Sequence, residues 1–278
     1  MNDAAALATA ESAVPRPGQS AVGEDAITIR DLAVHFDTVH ALAATSLTIK
    51  RGEFVSIIGP SGCGKTTILN TVAGLIPIQT GSVDVLGAAP SLGNPDVVYM
   101  LARDSLLPWR TSLGNTAYGM EVRGAPKAER IAKSTAQLGR VGLAGFEARY
   151  PRALSHGMRQ RVALARTFCV DSSIMLMDEP FGALDAQTKI QLEDVLLDLW
   201  TQERRTVMFV THDLSEAVAL SDRVIVMAAR PGRIIAEVPI DLPRPRSVRA
   251  LQQDRAYLDL YAELWRNLEN AFEPGVIL

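Results

Sequence analysis

Val55-Ser-Ile-Ile-Gly59-Pro-Ser-Gly-Cys-Gly-Lys65-Thr66 is the stretch that decides how this chain folds. Its apolar, β-branched opening reads as a buried strand, and it breaks into a turn that fits G-x-x-x-x-G-K-[ST] without a mismatch. Beyond Gly64 the pattern becomes helical up to about Gly74, where Gly74 and Pro77 stop it. Strand, glycine loop and helix in that order turn backbone N–H groups inward around phosphates, and the helix N-terminus adds partial positive charge. Lys65 would reach the β- and γ-phosphates of a nucleoside triphosphate, and the Thr66 hydroxyl would hold Mg2+. Gly59, Pro60, Ser61, Gly62, Cys63, Gly64, Lys65, Thr66 and Thr67 are therefore candidate nucleotide contacts. Cys63, set among these N–H groups, is expected to favour its thiolate and to react with thiol reagents.

A second stretch answers the first. Ser173-Ile-Met-Leu-Met-Asp178-Glu179 is an apolar strand that ends in two acids. Ligands of parallel sheets sit at the carboxyl ends of strands, so both acids fall where a nucleotide would lie. Asp178 suits Mg2+, directly or through water, and Glu179 suits the orientation and deprotonation of an attacking water.

Working outward, Ala26–Phe36, Leu47–Lys50, Glu53–Ile58 and Gly81–Gly87 read as strands of the first part. Residues from about 106 to 165 change character and predict an inserted helical subdomain, with helices over Lys127–Val141 and Met158–Cys169. Strands return at Ser173–Met177, Thr206–Val210 and Arg223–Met227, with a helix over Leu214–Leu220. This alternation predicts an α/β core with a mostly parallel sheet. The organisation expected is a loose tail over 1–25, one domain over 26–241 and a C-terminal helical extension over 242–278, helical from Ser247 to Asn270.

Composition narrows the partners. Lys plus Arg total 28 against 31 Asp plus Glu, which lacks the basic excess of a protein that coats nucleic acid. Two cysteines, Cys63 and Cys169, make neither a disulfide framework nor a metal cluster, which suits a reducing compartment. No apolar run is long enough to span a membrane, and Asp3 and Glu11 precede the first Arg16, the reverse of a secretory signal.

Leu154-Ser-His-Gly-Met-Arg-Gln-Arg161 stands between the two nucleotide motifs. With them it makes the chain, from about Ile27 to Asp241, resemble the ATP-binding subunit of an ABC transporter. The resemblance implies a P-loop ABC-type fold: a mostly parallel core, an antiparallel β subdomain and the helical insertion. It also implies ATP and Mg2+ as ligands and ATP hydrolysis as the activity. Ser155 and Gly157 match the family signature, which acts in trans on ATP held by a second subunit in a head-to-tail dimer. Phe36 falls where the family stacks an aromatic on adenine. Asp185, in Gly182-Ala-Leu-Asp185, falls in the loop that crosses the dimer interface, and His212 falls at the switch histidine that contacts the γ-phosphate. The implied catalytic set is Glu179, His212 and Lys65, with Thr66 and Asp178 at the metal.

Leu106-Leu-Pro-Trp-Arg110, Ala228-Ala-Arg-Pro-Gly-Arg-Ile234 and Asp241-Leu-Pro-Arg-Pro245 resemble the nitrate, sulfonate and taurine importer group. That resemblance implies a homodimer or a pair with a similar ATPase subunit, on the cytoplasmic side of the membrane. It further implies transmembrane permease subunits, with Trp109 a candidate contact, and an extracytoplasmic solute-binding protein reached through them. The solute would be small and anionic. The other readings are a nucleotide-binding regulatory module with weak turnover and an ABC-type ATPase outside transport. Three positions depart from the family pattern: Ala102 stands where the family has a glutamine that touches Mg2+ and reports to the permease, His156 replaces a signature glycine, and Met158 replaces its final glutamine.

Overall fold

A computed structural model describes residues 24–102, 104–182 and 184–271. β1 (Asp25–Phe36) and β2 (Val39–Lys50) pair antiparallel across a turn at Asp37 and Thr38. β4 (Thr80–Val85) pairs with the other edge of β1, which completes an antiparallel sheet of order β2-β1-β4. The phosphate-loop strand, β3 (Phe54–Ile58), lies in a second sheet. Its other members are β5 (Val97–Met100), β6 (Ile174–Asp178), β7 (Thr206–Val210), β8 (Arg223–Ala228) and β9 (Arg233–Pro239). The order is β5-β6-β7-β3-β8-β9, parallel through β8, with β9 antiparallel at the edge.

The burial of β3 explains its unbroken apolar sequence, because parallel strands are covered on both faces. Phe54 and Ile58 point to one core with Phe168, Trp200 and Phe209, whereas Val55 and Ile57 point to another with Ile27, Ile68 and Leu69. α1 (Lys65–Val72) covers the second face. Between β5 and β6 the described chain is helical: α2 (Ser112–Thr116), α3 (Tyr118–Val122), α4 (Lys127–Arg140), a 3-10 turn at Pro151–Ala153 and α5 (His156–Cys169). α5 packs on β5 and so joins this layer to the sheet. α6 (Ala186–Glu203) and α7 (Leu214–Leu220) connect β6 to β7 and β7 to β8.

The C-terminal region holds α8 (Val248–Leu251) and α9 (Arg255–Glu269) rather than one helix from Ser247 to Asn270. The chain restarts because the Asp254 side chain accepts from the N–H groups of Ala256 (2.7 Å) and Tyr257 (3.2 Å), a new helix cap. Two arginines ahead of these helices serve α7. Arg246 is buried and donates to the carbonyls of Ala219 and Ser221, while Arg244 donates to Leu220 (2.7 Å) and to Asp222. They supply hydrogen bonds to carbonyls that a helix C-terminus leaves without partners.

Other departures are local. Asp25 already belongs to β1, and Glu24 pairs with Arg51 (3.4 Å), so the expected tail over 1–25 overlaps the fold at these two residues; residues 1–23 lie outside the described ones. β2 is far longer than Leu47–Lys50, and α5 starts at His156 because Ser155 caps it. β5, α6 and β9 go beyond the elements expected from sequence. In α6 the buried Glu193 sits beside Leu192, Leu196 and Leu197, which blurs the apolar stripe that marks a helix.

Candidate functional site

Three neighbouring strands end at one edge of the large sheet and deliver the expected side chains. β3 runs into Gly59, β6 ends on Asp178, and β7 leads into Thr211 and His212. The Thr66 Oγ1 lies 3.1 Å from each Asp178 oxygen. Burial pushes the Asp178 carboxyl above the usual carboxylate range, and the Glu179 charge adds to that against the Thr66 hydrogen bond. A hydroxyl and a buried carboxylate so placed fit a divalent cation, which would favour the ionised form. Among the described residues no three His, Cys, Asp or Glu side chains converge to hold a metal ion, so phosphate oxygens and water would have to complete its shell.

Lys65 is itself nearly buried. Its ammonium lies back across the loop and donates to the carbonyls of Gly59 (2.8 Å) and Pro60 (3.1 Å). Those carbonyls hold the charge in place on the loop that the phosphates would approach. Cys63 corrects an expectation: its side chain is fully buried, and desolvation pushes the thiol up despite the nearby Lys65 ammonium. Its N–H donates to Pro60 O (3.2 Å), inside the loop. Ser61 and Thr66 are exposed, Pro60, Gly64 and Thr67 partly so.

Glu179 has φ +44°, in the left-handed region, at a cost on the order of 1 kcal/mol for a residue with a Cβ. Two backbone bonds hold it there, its own N–H to Val210 O (2.9 Å) and the Gly182 N–H to its carbonyl (3.3 Å). The carboxylate is thereby aimed at His212, whose Nδ1 lies 3.2 Å from Oε2. Asp213 caps α7 and Thr211 bonds to Glu216, so both neighbours of His212 are fixed.

Sequence reading missed two residues that brace this edge. Lys189 on α6 pairs with both Asp213 and Glu216 of the histidine segment. Gln160 on α5 is buried and donates its amide to Pro180 O, next to Glu179. A signal for Gln160 existed, because it stands in the inward register of α5 with Ala163 and Leu164. Nothing in the sequence marked Lys189.

The remaining candidates are not gathered at this edge. Phe36 is exposed at the end of β1. Ser155 caps α5 and accepts from the Met158 N–H (3.2 Å), and Asp185 caps α6, which keeps its carboxyl below the usual range. Gly157 lies so close to α6 that a Cβ would stand 2.6 Å from Thr188 Cγ2. Ala102 lies on an exposed bend after β5, and Arg103 is outside the described residues.

A glycine beyond the motifs shapes the loop. Gly232 exchanges backbone bonds with β2, donating to Ala41 O (3.1 Å) and accepting from Ala43 N (2.9 Å). A Cβ there would stand 2.1 Å from Cys63 O, so the phosphate loop rests directly on this glycine.

The ABC transporter family profile matches residues 42–182. Over 214 residues the chain is 49% identical to an ABC transporter ATP-binding protein of Methanocaldococcus jannaschii, covering 77% of this chain and 80% of that one. Over 223 residues it is 40% identical to the taurine import ATP-binding protein TauB of Rhizobium johnstonii, covering 78% and 85%. A dimeric post-hydrolysis structure of the ATP-binding cassette MJ0796, bound to ADP and Pi, aligns with a TM-score of 0.69 at 29% identity, over 78% of this chain and all of that one. Among the described residues no helix is long and apolar enough to cross a membrane.

Proposed function

The chain belongs to the ABC transporter family of ATP-binding subunits and is an ATPase, and we propose that it powers the import of a small anionic solute of the nitrate, sulfonate or taurine type. One observation carries the catalytic part of this reading. The pairs Thr66–Asp178 and Glu179–His212 stand together at the ends of β3, β6 and β7.

In this reading the loop 59–67 binds the phosphates through its N–H groups and Lys65, and Phe36 stacks on adenine. Thr66 and Asp178 hold Mg2+, which supplies positive charge to the phosphate oxygens. Glu179 accepts a proton from a water as its oxygen bonds to the γ-phosphorus. The bond to the β–γ bridging oxygen breaks, and ADP and phosphate leave. His212 orients the Glu179 carboxylate through the 3.2 Å contact and faces the γ-phosphate. Ser155, Gly157 and Asp185 act on the ATP of a second subunit in a head-to-tail dimer, and the MJ0796 cassette, which is dimeric, supports that arrangement.

The TauB relative supports import, and with it permease partners, a solute-binding protein beyond them, and a place on the cytoplasmic face of the membrane. Trp109, strongly exposed in the helical layer, is the permease contact. Reconstitution with the permease and solute-binding protein of a taurine-type importer tests the reading. Uptake of labelled taurine, an alkanesulfonate or nitrate should require ATP and stop with Glu179→Gln. An active ATPase that drives uptake of none of them would remove the solute assignment.

A further inference from the structure

We propose that Arg159 is a positioning residue that latches the signature turn to the segment after β5, with Asp104 as its anchor. Each guanidinium nitrogen has a different partner. Nε donates to Asp104 Oδ2 (2.8 Å), Nη1 to Leu154 O (3.0 Å), and Nη2 to His156 Nδ1 (3.1 Å). Two of these partners belong to the signature turn, and the third lies 50 residues earlier in sequence, from Leu154 back to Asp104. A guanidinium is planar and rigid, so one group fixes all three relative to one another. The pair is mostly shielded from water, with side chains 31% and 20% exposed, which sets it apart from a solvated surface ion pair.

A second arginine on the same face of α5 repeats the attachment. Arg166, seven residues on, donates to the carbonyls of Ser105 (2.9 Å) and Asp104 (2.8 Å). Residues 104 and 105 are therefore held by α5 through both side chain and backbone. This segment leads from β5 toward Pro108 and Trp109, on the exposed side of the helical layer. The Ala102 side chain has no polar atom with which to tie the same segment to the nucleotide. Its fastening runs instead to the signature helix.

The latch also sets the chemistry of the turn. A guanidinium only donates, so His156 Nδ1 must accept and the ring proton sits on Nε2. The turn thereby gains a side-chain N–H donor beside the Ser155 hydroxyl, and it does so through the histidine that replaces a signature glycine. This inference rests on the proposed reading in which the signature turn meets ATP held by a second subunit.

The test uses the full chain in a Glu179→Gln background and follows dimer formation by sedimentation as ATP is raised. Asp104→Asn should raise the ATP concentration at half-dimerisation by about tenfold, the effect of losing one charge-assisted hydrogen bond, and Arg159→Gln by at least as much, because it also releases Leu154 O and His156 Nδ1. Arg159→Lys, a point charge without the fork, should fall between. The double variant should be no worse than Arg159→Gln alone, because that change already cuts the link to Asp104. Binding of a fluorescent ATP analogue to the dilute monomer should stay within about twofold of the parent, since the phosphate loop is untouched. Dimers of unchanged stability would overturn the latch, as would a parallel loss of monomer binding. If Arg159→Gln fails to fold, Asp104→Asn decides alone. If the Glu179→Gln parent binds ATP yet never dimerises, the reading of the signature turn fails and the latch with it.

Discussion

The carboxylate of Glu179 and the imidazole of His212 meet at 3.2 Å although their residues follow different strands, β6 and β7. The strands are adjacent and in register, with Asp178 opposite Val210. Glu179→Gln keeps the shape and removes the base. ATP hydrolysis should fall about 10²-fold to 10⁴-fold while ATP binding persists. Steady-state phosphate release checks the first, nucleotide binding the second. Hydrolysis at the parent rate would remove Glu179 from the chemistry.

Gly232 is outside every nucleotide motif, yet its Cα faces Cys63 O at a distance that leaves no room for a methyl group. The hydrogen bonds to Ala41 and Ala43 prevent Gly232 from retreating. Gly232→Ala should cost about 1–3 kcal/mol of stability by overpacking and weaken ATP binding by pushing the loop. Urea unfolding and nucleotide titration measure the two effects. An unchanged ATP affinity would show that the loop adjusts freely.

Cys63 and Cys169 are both fully buried, and burial raises both thiols. A thiol-directed reagent at neutral pH should therefore label the folded chain at least about tenfold more slowly than the unfolded chain. Saturating ATP should change neither rate. Rapid, ATP-protected labelling of Cys63 would restore the reactive thiol expected from sequence.

Glu193 lies buried on α6, its carboxyl pushed up to about 8 by desolvation and then by the Glu216 charge. Lys189, Asp213 and Asp194 also bear on it. The unfolded chain releases this proton near pH 4.3, the folded chain near 8. Through that window the folded state binds more protons, so the stability contribution is lost as pH rises, by at most about 1.4 kcal/mol per unit. Glu216, also raised by burial, acts in the same direction. Urea unfolding at about pH 6 and about pH 8 should show a smaller decline for Glu193→Gln than for the parent. Equal declines would exclude Glu193 as the source.

The sequence made the phosphate loop legible because strand, glycines and helix follow one another without interruption. Asp178 and Glu179 were legible because an apolar strand ends on them. Phe36, Ser155, Asp185 and His212 had no such local context, and only family resemblance singled them out. Lys189 was not legible, since its partners Asp213 and Glu216 lie across a strand and a turn. Cys63 was misread because its neighbours in sequence are N–H donors, whereas its side chain faces the apolar core beneath the loop. The polar Glu193 on the inward face of α6 weakened the very pattern that reveals a helix.

Arg244 and Arg246 have a practical consequence for anyone who shortens or splices this chain. A cut after Asp241 follows the boundary the sequence suggests, but it strips the cap from α7 and leaves the carbonyls of Ala219, Leu220 and Ser221 without their guanidinium donors. That helix begins right after the His212–Asp213 segment. A chimera that ends at Asp241 would thus inherit the nucleotide loop while loosening the histidine, so a catalytic transplant has to carry residues up to at least Arg246 with it.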